Sequence, residues 1–218
     1  MLYEPDVALS DFALSVETAV FALMVARSPS AVPPRRRVAA LLFLCLSLSS
    51  LLGAVYHGWF PQGTATAAGR FVWTLTMLSI GGAATVLWPV TAAVAGAAPR
   101  WLAQVALALL AAYAAVVLFV DDRFWVSIVF SVPPLVVLLG TFLGRFVRHR
   151  SRAAALGLTA VLLMFIASAL QQLRIGVHPT YFNHNSLYHV IQGIALALLF
   201  YALRLSLQAP YGRAGMYL

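Results

Sequence analysis

Five histidines and six carboxylates are the side chains of this 218-residue chain best equipped for chemistry, and several of them lie inside or at the ends of apolar runs. His57 stands in Tyr56-His57-Gly58-Trp59 at the end of one run. His184 and His189 stand in Asn183-His184-Asn185-Ser186-Leu187-Tyr188-His189 at the start of another. Asp11 and Glu17 interrupt a run near the N-terminus, about 9 Å apart if that run is helical. Imidazole and carboxylate are ligands for zinc, and catalytic zinc takes three protein ligands and keeps a fourth position for water. His57, His189 and one of His184 or Asp11 could supply the three if their helices meet at one depth. Asn185, Gln192, Gln171 and Gln172 are candidates for the outer hydrogen bonds that hold an imidazole in one tautomer.

These side chains need helices to position them, and the composition dictates which kind. The chain is 62% hydrophobic and 9% charged, which excludes an ordinary water-soluble domain. Apolar runs near 8–26, 38–60, 71–95, 101–120, 124–143, 153–173 and 186–205 predict an all-α polytopic bundle of seven membrane spans forming a single domain. Residues 28–37 and 145–152 read as basic loops, and Pro99-Arg100 as a short turn. Pro89 predicts a kink in its helix or the end of the regular part, and the Pro133-Pro134 pair a bend. Gly140 and Gly144 predict a close helix approach. Because a charge inside a bilayer is expensive, Asp11, Glu17, His57 and His189 are functional candidates by location alone. The plainer readings are a wet loop for His178, a basic stretch for His149, and a solvated turn for Asp121-Asp122. Trp59, Trp73, Trp101 and Trp125 read as interfacial anchors.

The 14 cations are all arginine. Arg70, Arg123 and Arg174 fall on one predicted face and the other eleven on the opposite one, which places the N-terminus outside and the C-terminus in the cytosol. Basic charge distributed this way belongs to membrane topology and implies membrane lipids as neighbours, not nucleic acid. The absence of lysine excludes a retinal Schiff base. Cys45 alone makes neither a disulfide framework nor a thiolate cluster. The acidic start, Met-Leu-Tyr-Glu-Pro-Asp, is unlike a secretory signal, so the first span reads as retained. Arginine in place of lysine, with abundant Ala, Gly and Val, suggests a GC-rich genome and a bacterial inner membrane.

A seven-span chain with a histidine closing its second span and a histidine pair opening its seventh resembles the superfamily of alkaline ceramidases, progestin and adiponectin receptors and related membrane proteins. The resemblance covers the whole topology and rests on a handful of residues. It implies a zinc ion held by three histidines, with the bound water attacking an amide or related lipid bond. It implies His57 as the second-helix ligand and His184 with His189 as the seventh-helix pair. That family spaces its pair His-x-x-x-His, on one helical face, whereas His184 and His189 are five apart and would point about 140° from each other on a regular helix. His184 could then serve only from a non-helical entrance turn. The family's second-helix serine, four residues before its histidine, is here Gly53, and Ser50 is the nearest hydroxyl on that face. Its third-helix aspartate has no counterpart in Gly69-Arg70-Phe71, which leaves Asp11 or Glu17 for that place.

Three functions are consistent with these residues. The leading one is a zinc-dependent membrane hydrolase of a lipid-like amide or ester. In it His57, His184 and His189 bind the metal, and Asp11, Glu17 and Ser50 do or support the catalytic proton work. A transporter or non-catalytic receptor would use the same acids and histidines to relay protons or hold a ligand. A haem protein would take His57 and His189 as axial ligands.

Overall fold

The computed structural model describes residues 2–28, 33–96, 101–179 and 181–208. Seven α-helices follow in order: α1 Pro5–Ala26, α2 Pro33–Trp59, α3 Ala67–Ala95, α4 Trp101–Phe119, α5 Phe124–His149, α6 Arg152–Gln172 and α7 His184–Ser206. All seven are long and apolar enough to cross a membrane. α1, α2, α3, α5, α6 and α7 form a ring that closes where α1 meets α7, and α4 packs outside it against α3.

Polar side chains set several helix ends. Thr66 accepts the Gly69 N–H at the start of α3, Ser151 accepts that of Ala154 at the start of α6, and Asn183 accepts those of Asn185 and Ser186 at the start of α7. Gly96 ends α3 in the left-handed conformation, with φ of 80°.

Several local expectations change. The basic stretches are largely helical: Arg35, Arg36 and Arg37 lie in the first turns of α2, and Arg145 and Arg148 in the last turns of α5. Neither proline site ends a helix, since α3 runs through Pro89 and α5 through Pro133 and Pro134. Neighbouring helices make a lost backbone bond tolerable in an apolar bundle. The Gly140/Gly144 pair meets no neighbour; the close approach occurs instead at Gly157 of α6, where the Phe142 ring fills the space a side chain would need. Gly81 of α3 admits the Tyr113 ring of α4 in the same way, and the Tyr113 hydroxyl reaches Met77 O and Ser127 Oγ. Pro99-Arg100, positions 29–32 and Arg213 lie outside the described residues.

The two ends of the bundle are built differently. At the arginine-rich end Phe21, Phe43 and Phe200 interlock, with Phe21 and Phe200 stacked at 4.4 Å between centroids. Leu138, Phe142, Leu199 and Leu203 complete a core that is almost wholly buried. A reciprocal pair of hydrogen bonds, Ser15 Oγ to Ser47 O and Ser47 Oγ to Ser15 O, ties α1 to α2. The histidine end is hollow.

Candidate functional site

The site begins with the carboxylates of the first seventeen residues, which hold four of the six acids in the chain. The backbone N–H groups of Tyr3 and Glu4 donate to Gly58 O and His57 O, satisfying carbonyls left open where α2 ends. That contact places the Glu4 carboxylate on His57 Nδ1, at 2.5 Å. Two residues on, Asp6 Oδ2 accepts from the Ser186 hydroxyl at 2.7 Å and from the Asn183 N–H at 3.3 Å, pinning the start of α7. α1 thus reaches both histidine-bearing helices through its own acids.

Deeper in the seam between α1 and α7, Ser10 Oγ lies 2.9 Å from His189 Nδ1, and His189 Nε2 lies 3.3 Å from Asp11 Oδ1. The side chains of His189 and Asp11 are 11% and 7% exposed, so the pair sits where charges are poorly screened. Ser10 Oγ also donates to Val7 O, so it accepts from Nδ1–H of His189. His189 Nε2 then faces a carboxylate oxygen, and two lone pairs at that separation repel unless a proton or a cation lies between them. The pair can therefore hand a proton to, or take one from, a group beside it. Ser10 itself is outside the cavity described next, so Ser10, His189 and Asp11 do not form a nucleophilic triad facing a substrate.

Two glycines make this arrangement possible. A Cβ on Gly53 would meet Asp11 Oδ2 at 2.8 Å, so the absent side chain is the space that the Asp11 carboxylate occupies. A Cβ on Gly193, one turn past His189, would meet Glu17 Oε2 at 3.0 Å. Here α1 fills both places with carboxylates.

A cavity of about 490 Å³ opens from this end, within the roughly 300–1,000 Å³ of small-molecule sites. α1, α2, α3, α5, α6 and α7 line it and α4 does not. It extends along α2 from His57 to Leu42, about 22 Å at 1.5 Å per residue. The upper wall is polar, with Asp11, His57, His184, His189, Gln192 and Ser50; the lower wall is apolar, with Leu42, Leu46, Leu87, Leu135, Leu196 and Leu199. Gln192 Oε1 is buried with no hydrogen-bond partner among the described residues.

His57, His184, His189, Asp11 and Ser50 therefore share one cavity, as do Asn185, Gln171, Gln172 and Gln192. Ser50 lies about 10 Å deeper than His57. Glu17 is not among the lining residues and stays in the α1/α7 seam. His184 is the first residue of α7, so the entrance turn expected for it is helical and its ring diverges from that of His189. Of the four anchor tryptophans, Trp73 and Trp125 line the cavity, with their indole N–H groups on Asp122 O and Asp121 Oδ2, and Trp59, Trp101 and Trp125 are exposed.

The donors suit a zinc ion in kind. Each of two imidazoles has an oxygen partner on Nδ1, the outer support that ligating histidines ordinarily have. His189 Nε2 and Asp11 Oδ1 stand about as far apart as two ligands of one ion, given bonds of about 2.0–2.2 Å. In number they fall short: among the described residues no three His, Cys, Asp or Glu side chains form a group that could hold a metal ion. The three-histidine set does not gather.

Sequence reasoning passed over Glu4 as the partner of His57, Ser10 as the partner of His189, and Asp6 as the anchor of α7. The available signal was the concentration of acids in the first seventeen residues.

The fold is a seven-helix bundle of apolar helices with a polar-mouthed cavity. By sequence the chain belongs to DUF6962, a family of unknown function, which it matches over residues 7–208. No curated protein and no solved structure matches it.

Proposed function

We propose that this chain is an integral-membrane hydrolase of a single-chain, lipid-like amide or ester, oriented with its histidine end extracytoplasmic, in a bacterial inner membrane. The observation that carries the reading is a cavity whose mouth gathers Asp11, His57 and His189 and whose depth is apolar. An acyl chain laid along Leu46, Leu87 and Leu196 would bring its head group level with the histidines. His189 and Asp11, sharing a proton, serve as acid and base for the bond to be cleaved and for an attacking water. Glu4 holds the His57 ring so that its Nε2 can face the substrate. A zinc ion held by His189 and Asp11, with water and substrate completing its shell, would polarise the scissile carbonyl and acidify a water. The orientation follows from the arginine distribution.

The test is metal analysis and turnover of purified full-length protein on N-acyl and O-acyl single-chain substrates. Hydrolysis that is lost in His189→Ala and Asp11→Asn supports the reading. Stoichiometric zinc that disappears in His189→Ala and Asp11→Asn supports the metal. No turnover of any acyl substrate, with or without added zinc, would remove the enzyme.

A second reading, a carrier or receptor for the same amphiphile, is favoured by the missing third ligand. It predicts tight binding without metal and without turnover.

A further inference from the structure

α6 ends in a tight turn whose backbone closes through Arg174 N–H to Gln171 O and Ile175 N–H to Leu170 O. The turn requires a left-handed residue, and Arg174 occupies it with φ of 56°. Glycine is the ordinary occupant, because an L side chain there crowds the backbone. A strained arginine in place of glycine points to a task for its side chain. The turn is tied to α7 nearby: a Cβ on Gly176 would meet His184 N at 2.9 Å, so the segment after Arg174 lies directly on the first residue of that helix.

Arg174 lines the mouth of the cavity and makes no side-chain hydrogen bond or ion pair among the described residues. Arg123, the other guanidinium there, is clasped by Asp121 at 2.6 to 3.1 Å, and its charge is offset. Asp11, the acid lining the cavity, lies deeper and faces His189. Positive charge that is not offset is therefore available at the rim.

We infer that Arg174 binds the anionic outer group, a carboxylate or phosphate, of a single-chain amphiphile whose tail fills the cavity. The inference rests on the amphiphile reading above and adds the chemistry of the head group. An N-acyl amino acid fits the order from rim to depth: carboxylate at Arg174, amide at the level of His189 and Asp11, chain against the leucines. A guanidinium grips a carboxylate through paired N–H bonds.

The test measures binding of N-myristoylglycine, the uncharged N-myristoylethanolamine and the chainless N-acetylglycine to the full-length protein in nanodiscs. Arg150, which also sits left-handed at a helix end (φ 49°) but follows α5 at the opposite end of the bundle, provides the control. Wild type is expected to prefer N-myristoylglycine to the ethanolamide about tenfold. Arg174→Gly should abolish that preference, leave the ethanolamide affinity unchanged and keep or raise the unfolding temperature. Arg150→Gly should show the same thermal response with the preference intact. A preference that survives Arg174→Gly, or vanishes equally in Arg150→Gly, overturns the inference. Equal binding of both myristoyl probes to wild type overturns it while sparing the amphiphile reading. Binding of neither probe removes the amphiphile reading and this inference together, and N-acetylglycine bound as tightly as its long-chain analogue would show a site for a free anion instead.

Discussion

The two ends of the bundle use the same helices to opposite purpose. Toward the arginine-rich end α2 and α7 present Phe43, Phe200 and Leu203 to a buried core, whereas toward the histidine end the same helices present His57, Ser50, His189 and Gln192 to a cavity. Close packing stabilises one end, and polar contacts from α1 hold the walls of the other apart. The lesson is that a space for a ligand needs wall-to-wall polar ties in place of the side chains that would have filled it.

Phe43→Ala, at the packed end, should cost roughly 3 kcal/mol by opening a void beside Phe21 and Phe200. Leu46→Ala, on the cavity wall, should cost well under half of that, because the space beside it is already open. Equal losses in reversible unfolding would contradict the contrast between the ends. Enlarging residues should give the converse result. Gly157→Ala drives a methyl into the Phe142 ring and should destabilise by about 1–3 kcal/mol. Ala84→Leu enters the cavity and should leave stability nearly unchanged while lowering affinity for an acyl-chain probe at least about tenfold.

Gly53→Ala should push the Asp11 carboxylate off His189 and abolish turnover, at about 1–3 kcal/mol in stability. Gly193→Ala, which meets only the end of the Glu17 side chain, should cost less and preserve turnover. Retained activity in Gly53→Ala would detach Asp11 from the chemistry. Ser10→Ala removes one neutral hydrogen bond to His189 and should cost about 1 kcal/mol.

The smallest effect concerns the rim. Asp121 is held down to about 2 by its hydrogen bonds to Arg123. A carboxylate with a lowered pKa contributes its stabilisation above the unfolded value of about 3.9, and loses it as pH falls through the folded one. The ordering of Arg123 at the mouth should therefore persist at neutral pH and fade between about pH 4 and pH 2. Asp121→Asn should flatten that response in an acid titration followed by Trp125 fluorescence.

Much of the fold was legible along the chain because apolar length is a local property: each of the seven runs satisfies its own backbone whatever its neighbours do. The histidines at one level were legible for the same reason, since helical rise converts position to depth. The sites of close approach were not. Gly140 and Gly144 carry the familiar spacing yet meet nothing, and Gly157 carries no motif yet takes a phenyl ring, because the outcome depends on which helix lies opposite. The candidate site divides similarly. Asp11, His57 and His189 stand out by chemistry, while Glu4 and Ser10 are ordinary residues that matter through their partners.

The sequence by itself determined seven apolar helices, the clustering of arginine toward one predicted face, and histidines near the other, because hydropathy and charge act residue by residue. Only the tertiary structure decided that Asp11 occupies the space above Gly53, that Glu17 stays outside the cavity, and that Arg174 reaches its rim. Each of those depends on a neighbour remote in the chain, and no property of a residue alone specifies which surface will face it.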